Sequence, residues 1–117
     1  MVDVSRPREV EDYEVITQFG SRRGGFRSRP RPTEPDVSVL LGRVAVGDAA
    51  RLVRGRLLVG DGVRFASVGA LRLAGFNVSH TPSRRIPMHA SIERVRVWDD
   101  RAGRRFDSTY SEPQFHE

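Results

Sequence analysis

The sequence predicts one small α+β domain, on three observations. Short runs alternate apolar and polar residues, other segments space their apolar residues as a helix does, and Gly- and Pro-rich connections separate them. A chain of 117 residues is of ordinary length for one domain. Hydrophobic residues make up 38% and charged residues 30%, which suits a modest core with polar margins. The expected architecture is a short mixed or antiparallel sheet of about four strands, packed on two central helices with a further C-terminal helix. The expected boundaries are a flexible acidic leader over 1–12, the domain over 13–110 and a tail over 111–117.

Each element has its own justification. The leader is charged and carries Pro7. Tyr13 to Phe19 puts Tyr13, Val15, Thr17 and Phe19 on one face and predicts a first strand. Residues 20–35 hold three Gly, three Pro and five Arg, with Phe26 the one large apolar side chain. That composition supports neither a helix nor a central strand, so a long loop is expected; long loops inside compact domains are functional or disordered. Asp36 to Gly42 predicts a second, short strand. Asp48 is placed to cap a helix carrying Ala49, Leu52, Val53 and Leu57, with Gly55 inside it at a cost of about 1 kcal/mol.

Gly60-Asp61-Gly62 ends that helix, and Asp61 is expected to cap a second one over about Val63 to Ala74. This helix is apolar nearly all round, with Arg64, Ser67 and Arg72 on a narrow polar stripe, and Gly75 stops it. Phe76 to His80 alternates as a strand. Thr81 to His89 is a second connection rich in Pro and Arg, and Ala90 to Val97 predicts another strand. Ile92 is out of phase with Val95 and Val97, so a bulge is expected near Glu93 or Arg94. Asp99 or Asp100 is expected to cap a closing helix through about Asp107, and Trp98 to seal the core. The tail shows no periodicity.

Charge is the other strong signal. All twenty basic residues are arginine. Residues 1–20 carry two Arg against five acids, residues 21–96 fifteen against five, and residues 97–117 three against five, within a net charge of +5. Guanidinium groups stay charged, fork onto carboxylates and phosphates, and stack on flat rings as ammonium groups do not. A GC-rich genome, which encodes Arg easily and Lys rarely, explains the absence of lysine equally well. There is no cysteine, which excludes disulfides, thiolate metal sites and cysteine nucleophiles. The N-terminus has no apolar signal region, and no apolar run reaches membrane-spanning length. The expectation is a cytoplasmic bacterial protein with no membrane partner, no metal and no cofactor.

Two stretches are candidates for contact or chemistry. Arg22, Arg23, Arg27, Arg29 and Arg31, interleaved with Gly24, Gly25 and Phe26, can track an anionic backbone. They can equally pair with the acids of residues 9–14 and 99–107 as a solvated loop. The second stretch, His80 to His89, gathers two His, Ser83, Arg84 and Arg85. His89, Ser83 and His80 are its candidate catalytic residues, with Arg84 and Arg85 holding an anion. Two His without a nearby carboxylate do not complete a zinc site. The plainer reading has His89 tying down the loop and His80 packing at a strand end.

The central stretch resembles a family of small uncharacterised bacterial proteins. The resemblance rests on Phe26-Arg27 with Pro32, on Val37-Ser38-Val39, and on an apolar segment ending Leu73-Ala74-Gly75-Phe76. It continues through Val78, Pro82, Pro87 and His89-Ala90. It implies a Gly-Phe-x-Val strand followed by a Pro…Pro-x-His-Ala turn, and it implies no activity.

The functional expectation is a binding or accessory module that meets an acidic protein surface or a nucleic acid through its Arg-rich loops. The alternative is a small enzyme or toxin-like effector with an anion site around His89, Arg84 and Arg85. A third possibility is a subunit of a larger assembly, which exposed Phe26 and Phe115 would favour.

Overall fold

The computed structural model describes residues 6–94 and 96–117. In chain order the elements are β1 (Val15–Ser21), β2 (Val37–Leu41), α1 (Val46–Arg54), β3 (Asp61–Ser67) and α2 (Val68–Leu73). They continue with β4 (Phe76–His80), β5 (His89–Arg94), α3 (Asp100–Ser108) and β6 (Gln114–Phe115). The strands form one sheet in the order β4-β5-β2-β1-β3-β6, antiparallel throughout.

The α+β class stands, but the sheet has six strands rather than about four. One addition is β6, in the tail. The other is β3, which takes the first half of the segment expected to be a single helix from Val63 to Ala74. Every residue of β3 from Asp61 to Ala66 is buried. A strand covered on both faces shows no alternation, and periodicity cannot separate it from a buried helix. The helical remainder, α2, is capped by Ser67, whose Oγ accepts from the Ala70 N–H at 3.1 Å. Asp61 caps no helix. Its carboxylate accepts the Leu58 N–H at 2.8 Å and pairs with Arg54, closing the turn before β3.

Smaller differences have equally local causes. Gly55 lies outside α1, as its left-handed C-cap with φ 91°, so the expected internal penalty does not arise. That helix starts at Val46, which puts Asp48 in its first turn instead of at the cap. Asp99 caps α3 as expected, accepting the Ala102 N–H at 2.8 Å. No bulge interrupts β5 as far as Arg94, since its register with β4 runs unbroken from Phe76↔Arg94 to His80↔Ala90. Val95 lies outside the described residues.

Helices cover both faces of the sheet. Ile16, Val39, Ala66 and Ile92 turn to one face, where Leu71 of α2 and Phe106 of α3 complete the larger core. Leu40, Val63 and Phe65 turn to the other, beneath Ala49 of α1. Residues 6–12, the described part of the expected leader, are docked on this frame. Val10 is buried in the larger core, and the Gly69 N–H donates to Asp12 O at 2.9 Å. Trp98 packs at 4.9 Å from Phe76 and 5.2 Å from Phe106, in an aromatic cluster that Tyr110 extends.

Gly20 and Gly62 face each other across β1 and β3, and two rings lie on them. A Cβ on Gly20 would sit 2.6 Å from Phe26 Cδ1, and one on Gly62 would sit 2.6 Å from Phe115 Cδ1. The rings are tilted against each other with centroids 6.1 Å apart. Aromatic cover of paired glycines stabilises a strand that has no side chains of its own there. Phe26 and Phe115 are thus half-buried, each with one side of its ring against a glycine.

Candidate functional site

The sheet is open in its middle. β1 stays paired with β3 from Val15↔Ser67 to Ser21↔Asp61, and β2 with β5 from Val37↔Ile92 to Leu40↔His89. Between themselves β1 and β2 pair only at Ile16↔Leu41 and Thr17↔Leu40. Beyond Thr17 the strands part, leaving a cleft of about 700 Å³ lined on its two sides by Gln18–Gly20 and Val37–Val39. That volume is in the range of ligand sites. Thr17 holds the closed end: its hydroxyl donates to Gly42 O at 2.7 Å and accepts the Val44 N–H at 2.9 Å.

Ladder alternation fixes which backbone groups look into the gap. The Gly42 N–H donates to Val15 O, so the odd residues of β1 turn toward β2. Ser21 exchanges its N–H and C=O with Gly25, which leaves Phe19 as the β1 residue turned to the gap. On β2, the Leu41 N–H donates to Met88 O on the β5 side, so Ser38 is its counterpart.

The Arg-rich loop forms one side of this cleft, and the core fastens it there. Arg64, 8% exposed, donates from Nε to Gln18 Oε1 at 2.6 Å and from Nη2 to Asp107 Oδ1 at 2.8 Å and Arg27 O at 3.3 Å. Gln18 Nε2 donates to the same Arg27 carbonyl at 2.8 Å. Ser28 donates its hydroxyl to Asp107 at 2.7 Å and accepts Trp98 Nε1–H on its carbonyl at 2.7 Å. The Arg64 guanidinium also lies 4.0 Å from the centroid of the Tyr110 ring and 5.0 Å from that of Phe26. Burial holds the Tyr110 hydroxyl above its ordinary pKa, so it stays neutral, and it has no hydrogen-bond partner among the described residues.

The loop guanidinia divide into two groups. Arg22 pairs with Glu117 and stacks at 4.3 Å on Phe115, and Arg29 pairs with Asp100. Arg85 donates to Leu52 O and Val53 O near the end of α1, both at 3.2 Å. Arg23, Arg27, Arg31 and Arg84 have no carboxylate partner among the described residues. Of these, Arg27 and Arg31 line the cleft, beside Glu34 and Asp36.

The histidine stretch does not assemble as one site. His80 is buried with both ring nitrogens engaged: Nδ1 accepts the Arg8 N–H at 3.1 Å and Nε2 donates to Pro87 O at 2.7 Å. It lines a separate pocket of about 570 Å³ beside β4. Ser83 accepts the Ile86 N–H at 3.0 Å as a turn former. His89 lines the central cleft, and its Nδ1 lies 3.0 Å from Thr81 O and 2.8 Å from Thr81 Oγ1. Thr81 thus engages one ring nitrogen, and Nε2 has no hydrogen-bond partner among the described residues. Arg84 and Arg85 line neither pocket. The structure therefore joins His89 with Arg27 and Arg31, a combination that sequence spacing had set apart.

Among the described residues, no helix is long and apolar enough to cross a membrane, and no group of three or more His, Asp or Glu side chains is gathered to hold a metal ion. No protein-family model matches the sequence, and no curated protein or solved structure is significantly similar to it.

Proposed function

We propose that this chain is a cytoplasmic bacterial binding module that meets an acidic partner, a protein surface or a nucleic acid, through its Arg-rich loop. Arg23, Arg27 and Arg31 make the contact, with Arg84 on the neighbouring turn. One observation carries this reading. The inner side of the loop is fastened by Arg64, Gln18 and Trp98, while these four guanidinia keep no carboxylate of their own among the described residues. A fixed loop gives up little conformational entropy when it engages a partner. Membership in the small bacterial family belongs to the same proposal, since the Pro82 to His89 turn that marks the resemblance brings His89 to the cleft.

The rival reading as an enzyme or effector draws on His89 alone, because His80 and Ser83 are committed to backbone partners. The test is anisotropy titration of a labelled single-stranded oligonucleotide and of an acidic peptide across a range of salt. Four phosphate contacts give a slope of about −3 in log K against log salt. Absence of binding to either probe at low salt would refute the proposal.

A further inference from the structure

The opening in the sheet narrows the class of partner, and the inference rests on the reading of the loop as a contact surface. We infer that the gap between β1 and β2 takes an extended peptide strand in which acidic and apolar residues alternate. Gln18–Gly20 and Val37–Val39 face each other across it, three residues on each side and about 10 Å of strand at the usual rise. Phe19 and Ser38 turn their backbone N–H and C=O groups into it beyond the last β1–β2 pair. A peptide lying between them runs antiparallel to one wall and parallel to the other, and completes both ladders as added strands do at sheet edges.

The two sides of the gap differ, and that sets the pattern of the peptide. The Arg-rich loop lies over the face that carries Gln18 and Arg64, so side chains pointing that way meet Arg27 and Arg31. The other face lies beneath α1, where Val53, Ile86, His89 and Arg54, the last paired with Asp61 and lying over the Phe19 ring, line the opening. Successive side chains of a strand point to opposite faces, so acids every second residue reach the guanidinia while the apolar residues between them meet Val53 and Ile86. A nucleic acid fits less well. Its sugar–phosphate backbone has no N–H and C=O groups at strand spacing to complete the ladders at Phe19 and Ser38, and Arg22 and Arg29 are already neutralised by Glu117 and Asp100.

The test uses the full chain and a fluorescein-labelled octapeptide of alternating Glu and Val. Its comparators are a Gln-for-Glu peptide, a peptide N-methylated at alternate backbone nitrogens, and an oligothymidylate of equal charge. The expected result is saturable binding of the Glu/Val peptide, weakened about tenfold by N-methylation, which removes ladder hydrogen bonds. The Arg27→Ala/Arg31→Ala pair should weaken it comparably, and Val53→Glu, at an exposed position, should weaken it without unfolding the chain. Hydrogen exchange of the Phe19 and Ser38 amides should slow in the complex. Binding that N-methylation leaves unchanged, or a peptide that leaves both amides unprotected, overturns the inference. If the oligothymidylate binds and the peptide does not, this inference falls and the broader proposal stands; if neither binds, both fall.

Discussion

Replacing Arg64 with Met removes a buried guanidinium while keeping most of its volume, and the structure sets the cost. Gln18 Oε1 loses its donor at 2.6 Å in a buried setting, worth about 1–3 kcal/mol. The stack at 4.0 Å on Tyr110 adds about 1 kcal/mol. The Asp107 side chain is 41% exposed, so it rehydrates once its partner is gone. The loss therefore stays below the full 3–5 kcal/mol of breaking a buried pair. The total is about 3 kcal/mol. An unfolding entropy of about 2.1 cal/mol/K per residue gives about 0.25 kcal/mol/K for 117 residues, hence a fall in Tm of about 12 °C. Circular dichroism melts measure it, with Trp98 fluorescence reporting whether the Ser28 carbonyl stays in contact. Arg23→Ala, at an exposed unpaired side chain, should stay within about 0.5 kcal/mol of the parent. A melting point for the Met variant within about 3 °C of the parent would refute Arg64 as the fastening of the loop.

Three further outcomes are expected. The hydrogen bond from Arg8 lowers the Glu14 pKa from 4.5 to about 2, so the carboxylate stabilises the fold fully above pH 4.5 and progressively less as pH falls toward 2. Urea titrations across that window should show the loss, and Glu14→Gln should flatten it. Burial pushes the Asp61 carboxyl up, but Arg54 and the Leu58 N–H outweigh it and hold the pKa below its ordinary value. Asp61→Asn should thus lose more stability at neutral pH than in acid, as equilibrium unfolding at the two pH values would show. Gly20→Ala should destabilise more than Gly62→Ala, within a range of about 1–3 kcal/mol. A Cβ on Gly20 meets the Gly25 backbone oxygen at 2.6 Å, whereas the atoms nearest a Cβ on Gly62 are Phe115 ring carbons that can swing away.

Much of the frame was legible in the residues. Phe76 to His80 alternates because β4 has one face in the core and one in water, and the structure bounds that strand where the pattern does. Asp99 announced the start of α3 through cap chemistry. β3 was illegible for a physical reason: with both faces covered it offers no polar phase, and Arg64, read as a helix stripe, points inward to Gln18 and Asp107. The candidate site was legible as ingredients only. Arg27, Arg31 and His89 stood out by residue type. The gap that gathers them comes from an absence of pairing between β1 and β2, which no single residue signals.

The strand order has a kinetic consequence. The longest ladder joins β1 to β3 across the whole Arg-rich loop, β2 and α1, and β2 meets β5 only after α1, β3, α2 and β4 have been traversed. Among the described residues, only β4 and β5 form a hairpin of named strands over a short connection. Folding must therefore close two large loops before the central ladders gain anything, which places the chain among slow, topology-limited folders in the millisecond-to-second range. The β4–β5 hairpin is the natural early element, and β1 and β3 zip together late.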